Sequence, residues 1–177
     1  ALDFDMPQSE NFPSLTMIFV CAWLLATGAP AQAQCTTEPL SGAPSLERVT
    51  CGDALTLDQE PSAVLRINDR ADDAAPRIIE VEGGAILINV TPGNAPTQIR
   101  TPHAIATVRG TSYVVDATRT QTSVFVIEGA VSVSKLDDAS EVTLRAGDGV
   151  DVTPDDDLRV QIWGADRAAA LLARFGR

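Results

Sequence analysis

Downstream of Gly129 the chain alternates, residue by residue, between aliphatic and polar side chains. Val131 and Val133 are interleaved with Ser132 and Ser134, Val142 and Leu144 with Thr143 and Arg145, and Val150 and Val152 flank Asp151. Turn residues, Asp137-Asp138 and Gly147-Asp148-Gly149, separate these runs. A period of two puts alternate side chains on opposite faces of an extended backbone and fits no helix. Each such strand carries one buried and one wet face, as antiparallel sheets do.

From Ala54 onward similar runs recur roughly every ten residues, the spacing of an all-β domain. Strands are expected over 85–90 (AILINV), 105–108, 112–116 and 122–128. The runs AILINV and SVFVI are apolar at nearly every position, so both are expected to be central and covered on both sides. Pro92-Gly93-Asn94 marks a loop. The expected fold class is all-β: an antiparallel β-sandwich or roll of short strands with a short C-terminal α-helix. Val108, Val114, Val124, Val126, Val131, Val133, Val142 and Leu144 are expected in its core. After Pro154-Asp155-Asp156-Asp157 a last short strand is expected over 158–162. Residues 165–175 (ADRAAALLARF) are helix formers, with Leu171, Leu172 and Phe175 at helical spacing and Gly176 just beyond. Trp163 is expected to pack where this helix docks.

The first 33 residues have a different character. Residues 17–29 (MIFVCAWLLATGA) form an uncharged apolar run that leads into Ala31-Gln32-Ala33. A bilayer-spanning helix needs about 20 apolar residues. The run instead fits the apolar core of a secretory signal peptide, with small residues at the −3 and −1 positions of a cut after Ala33. Asp3, Asp5 and Glu10 precede it without any Lys or Arg, an atypical start for a leader. Cleavage would remove Cys21 and leave two of the three cysteines, Cys35 and Cys51. An even pair in an exported chain points to a disulfide. The expected organisation is a leader over 1–33, a disulfide-tied segment over 34–54, a β domain over 55–153 and a C-terminal strand and helix over 154–177.

Charge and composition narrow the chemistry. Of 177 residues, 13 are Lys or Arg and 24 are Asp or Glu, giving a net charge of −11. Binding to a phosphate backbone needs clustered cations, so nucleic acid is not an expected partner. One histidine, His103, limits any triad or His-rich metal site to a single imidazole. No CxxC pair, P-loop, HExxH or GxSxG is present. The acids at Asp69-Asp72-Asp73, Asp137-Asp138, Asp148-Asp151 and Asp155-Asp156-Asp157 lack the EF-hand spacing and read as solvated loops.

The stretch Thr101-Pro102-His103-Ala104-Ile105-Ala106-Thr107-Val108-Arg109-Gly110-Thr111 resembles the FecR domain signature, T-P-x-A followed by V-R-G-T. Glu128-Gly129-Ala130-Val131-Ser132-Val133 resembles the family's G-x-V-x-V strand, and Leu144-Arg145-Ala146-Gly147-Asp148 its L-x-A-G-[QD] turn. The three elements are co-linear within about residues 55–153. Read physically, Pro102 would start a strand at an edge, Gly110 would mark a bulge or close backbone approach, and Gly129 and Gly147 would make tight turns. These readings make the motif residues Thr101, Pro102, Ala104, Val108, Arg109, Gly110, Thr111, Gly129, Val131 and Gly147 formers of the fold.

The resemblance implies a sensing or binding module outside the cytoplasm. Founding members of the family are membrane-spanning regulators of iron-siderophore uptake, with a cytoplasmic anti-sigma region and a C-terminal signalling module. This chain is expected to be a stand-alone exported domain without either. The expected function is non-enzymatic recognition of a protein or cell-envelope component, in the periplasm or outside the cell, with no cofactor, no metal and no lasting membrane span. A role in iron or envelope signalling beside a separate membrane regulator is the alternative. Asp151 and the run Asp155, Asp156 and Asp157 are the acids expected to steer a partner, and His103 is expected to be dispensable.

Overall fold

The computed structural model describes residues 35–41, 45–68, 75–136 and 140–177. The expected leader and its cut, the acids at 69, 72 and 73, and the Asp137-Asp138 turn lie outside the described residues. Residues Ala33–Arg177 cluster as one compact unit.

Among the described residues this unit holds thirteen strands and one short helix. They are β1 (Cys35–Pro39), β2 (Glu47–Cys51), β3 (Leu55–Gln59), β4 (Val64–Asn68), β5 (Arg77–Val90), β6 (Thr97–Arg100) and β7 (Ala104–Val108). The chain continues through β8 (Ser112–Ala117), β9 (Thr122–Glu128), β10 (Ala130–Lys135), β11 (Glu141–Arg145), β12 (Asp148–Val152), β13 (Gln161–Ile162) and α1 (Ala165–Ala173). All thirteen strands belong to one hydrogen-bonded sheet that curls into two facing layers. One layer runs β1-β2-β3-β5-β8-β9-β12-β13, and the other runs β4-β5-β6-β7-β10-β11.

β5 belongs to both layers because it turns the corner between them. Its first half pairs with β4 and β6, and its second half with β3 and β8. The turn falls at Gly83-Gly84. Gly84 has φ +80°, and a Cβ there would lie 2.6 Å from the Ala63 Cα, so only glycine fits. The fold is accordingly not the purely antiparallel sandwich expected from the sequence. β5 and β6 run parallel, with Arg77 beside Thr97 and Glu80 beside Arg100. Parallel neighbours normally need a long crossover. Here only residues 91–96 join them, a reach of about 20 Å. The coiling of β5 brings its end back toward its start, and that replaces the crossover.

Two clusters fill the unit. The larger one lies between the layers and holds Leu57, Ile79, Ile86, Ile88, Val108, Tyr113, Val124, Val126, Val131, Val133 and Leu144 among others. The smaller one lies on the outer face of the first layer, where Ala85, Leu87, Val114 and Phe125 meet Trp163, Leu171 and Phe175. Period-two alternation divides β5, β8 and β9 between these clusters. That is why their runs are apolar at nearly every position: α1 and Trp163 cover the face that would otherwise be wet. Of the expected core residues, Val142 is only half-buried.

Two local expectations change. Pro102 does not start a strand; with His103 it forms the two-residue turn between β6 and β7, closed by Thr101 N–H on Ala104 O at 2.9 Å. The expected strand over 158–162 contracts to Gln161–Ile162. The preceding loop is tied back by the Lys135 ammonium, which donates to Pro154 O (2.8 Å) and Asp156 O (3.1 Å). The segment 34–54 contains two strands, β1 and β2, that extend the first layer.

Candidate partner-binding surface

The motif residues form two groups at opposite ends of β7: Thr101, Pro102 and Ala104 at its start, and Gly110, Thr111 and Gly129 beyond its end. Thr101 Oγ1 accepts the N–H groups of Ala104 (2.9 Å) and His103 (3.3 Å) and lies 2.8 Å from Thr122 Oγ1. Gly110 has φ +70°, and a Cβ on it would meet the Pro92 ring at 2.8 Å. Gly129 packs on the same corner, where a Cβ would come within 3.0 Å of Gly110 O and Thr111 Oγ1. The Thr111 hydroxyl donates to Ala130 O at 2.9 Å. Thr101 and Thr111 are buried, and their polar atoms serve backbone groups. Ala104, Val108 and Val131 are core residues, while the Arg109 side chain is exposed. Gly147 turns the chain from β11 to β12 with open space around it.

His103 is half-buried, with Nε2 3.1 Å from Arg119 O. Cys35 and Cys51 are directly opposed across β1 and β2, with Cα atoms 4.1 Å apart, and form a disulfide. Among the described residues, no group of three or more His, Cys, Asp or Glu side chains is placed to hold a metal ion. None of the described helices is long and apolar enough to cross a membrane.

The acids gather at the β12–β13 edge. Asp151, Asp155, Asp156 and Asp157 line an open groove of about 490 Å³ together with Gln121, Thr153, Arg159 and Gln161. These acids are not equivalent. Asp151 Oδ1 accepts from Arg167 (2.6 Å), Ser123 Oγ (2.7 Å) and Gln121 Nε2 (3.0 Å). Burial pushes the Asp151 carboxyl up, but the bonds from Arg167 and Ser123, the Arg167 charge and the Gln121 bond outweigh it and hold the group below its ordinary value. Asp155, Asp156 and Asp157 are exposed; Asp156 accepts the Thr153 hydroxyl at 2.7 Å, and Asp157 lies 3.8 Å from Arg159.

Behind this rim the outer layer is fixed in place. Trp163 stacks on Phe125 with centroids 5.1 Å apart, and the Arg167 guanidinium sits 3.5 Å from the centre of the indole. At the far end of α1, Arg174 makes two bonds of 2.7 Å to the Glu60 carboxylate and another to Asp116. The Arg174 bonds and charge hold Glu60 below the ordinary carboxyl range against the opposing effect of burial, helped by the Ala85 N–H. Tyr113 OH and Trp163 Nε1 are buried without a hydrogen-bond partner. Among the described residues, Val64, Leu136, Val160 and Ile162 are large apolar side chains left exposed.

The acid triplet, Val160 and Ile162 thus lie along one sheet edge, while the motif residues are used within the scaffold. Comparison with known proteins shows the family of this β module. The family model described as FecR protein matches residues 41–132, just over half of the chain, and the chain belongs to that family. Two crystal structures of a proposed anti-sigma factor from Parabacteroides distasonis, at 1.65 and 2.50 Å resolution, share the fold with TM-scores of 0.58 and 0.59. Each is 21% identical and covers 80% of this chain, and this chain spans 61% of that protein. No curated protein matches the sequence.

Proposed function

We propose that this chain is an exported, non-enzymatic recognition domain of the cell envelope that binds a protein or envelope partner. The observation that carries the reading is how the family motif spends its polar atoms. Thr101 and Thr111 bond to backbone groups, and Gly110 and Gly129 press against neighbouring chain, so the motif builds a scaffold and presents no reactive group. The Cys35–Cys51 bridge suits an oxidising compartment and supports a periplasmic or extracellular location. No cofactor, metal or nucleic acid enters this reading.

A second reading, participation in FecR-type iron or envelope signalling beside a separate membrane regulator, draws on the fold shared with the Parabacteroides protein. Both readings require export, with cleavage after Ala33. Intact-mass analysis of the protein recovered from the envelope fraction tests this: a species beginning at Gln34 is expected. A cytoplasmic species retaining residues 17–33 would contradict export.

A further inference from the structure

The β12–β13 edge leaves main-chain groups and apolar side chains uncovered together. Trp163 N–H donates to Gly147 O at 3.2 Å, and the register pairs Gln161 with Gly149 and Ile162 with Asp148. In an antiparallel ladder, consecutive residues point their N–H and C=O groups to opposite sides. With Trp163 bonded inward, Ile162 turns its N–H and C=O outward, to the free edge. Its side chain lies on the face of Asp148, Val150 and Val152, the last two of which are in the main core. Leu158 packs against the same core, yet Val160 is 42% exposed and Ile162 is 87% exposed. The core face thus runs out past the last strand. An uncovered edge of this kind is a template for another chain.

We propose that this edge takes up an extended segment of a partner protein that carries apolar residues at alternate positions and Lys or Arg beside them. Strand addition supplies affinity through main-chain bonds, and alternate side chains supply specificity. Added apolar residues would continue the face begun by Val160 and Ile162. The flanking cations would meet Asp155, Asp156 and Asp157, which are exposed on the same rim and, unlike Asp151, are not committed to Arg167. The charge selects the occupant: a second copy of this chain, which keeps 21 acids against 13 bases once residues 1–33 are removed, would bring the same excess of acid to the edge. The inference rests on the recognition reading above and specifies its surface and the chemistry of its partner.

The test uses the 15N-labelled chain and three synthetic octapeptides: alternating Val and Thr ending in two Lys, the same with Glu for Lys, and the Lys peptide broken by a central Pro. The Lys peptide is expected to shift amides over 148–152 and 160–163, to bind about tenfold more weakly at high salt, and to outbind the other two peptides. Joint reversal of Asp155, Asp156 and Asp157 to Lys should weaken it about tenfold, and Ile162→Pro, at an exposed site, should abolish the shifts while the remaining spectrum is retained. Equal binding of the Glu peptide, shifts confined to another edge such as β4, or concentration-dependent self-association at Ile162 would each overturn the proposal. A protein cross-linked in cells through another surface, with Ile162 unmoved by the peptides, would overturn this inference and leave the recognition reading standing.

Discussion

Gly149 lies against the indole of Trp163 so closely that a Cβ on the glycine would sit 2.2 Å from Trp163 Nε1. The ring occupies the space that any other residue would fill, with Phe125 on one side and Arg167 over the ring. Through this contact a glycine in β12 sets where α1 docks.

Gly149→Ala is therefore expected to expel the indole and loosen α1. Overpacking of this kind costs about 1–3 kcal/mol. Fluorescence of Trp163, the single tryptophan after residue 33, should shift to the red, and the melting temperature should fall. An unchanged emission maximum would contradict the close contact.

The Arg174 clamp makes the docking of α1 sensitive to acid. Glu60 and Asp151 are both held below their ordinary carboxyl values in the folded chain. Their contribution is complete above the unfolded-state value of about 4 and is lost as pH falls through the lowered folded values. A pH titration should show the Trp163 environment opening in acid before the interior β-sheet signal is lost. Arg174→Ala leaves two part-buried carboxylates without their cation, is expected to cost about 1–3 kcal/mol, and should remove the Glu60 share of this pH dependence.

The Cys35–Cys51 bridge holds β1, whose five residues are all exposed and which pairs only with β2. Cys35→Ser is expected to release the strand at a cost of up to about 3 kcal/mol, the closure term for a loop of this length. Hydrogen exchange should accelerate over 35–39 and 47–51, while β8 and β9 stay protected. Uniform acceleration throughout would show that β1 supports the whole sheet.

Several of the strands that bury an alternating face were legible in the sequence. Residues 122–128 match β9, and 105–108 and 112–116 each fall one residue short of β7 and β8. The first half of β5, where Arg77, Ile79 and Val81 alternate inward, and β2, with Val49 and Cys51, carried that signal and were nonetheless missed; other strands lacked it. β1 (CTTEP) has no buried residue, and β4 (VLRIN) has none that is fully buried, so neither carries a core-facing stripe that a periodicity argument could find. β6 (TQIR) buries only Thr97 and Ile99, too short a pattern to stand out. The parallel β5–β6 pair depends on the coil of β5 at Gly84, a tertiary contact with Ala63 that leaves no local mark. The acid triplet was visible as composition. Its separation from Asp151 was not, because Arg167 reaches Asp151 from a helix 16 residues further along the chain.

The central claim is that this FecR-family chain works by holding a partner. A photo-crosslinking amino acid placed in turn at Val64, Arg119 and Ile162, in cells that make the chain, tests it most directly. The account predicts one discrete protein adduct from Ile162, diminished when Asp155, Asp156 and Asp157 are reversed to Lys, and retained in His103→Ala. No protein adduct from any of the three positions, or a function abolished by His103→Ala in a chain that still folds, would contradict it.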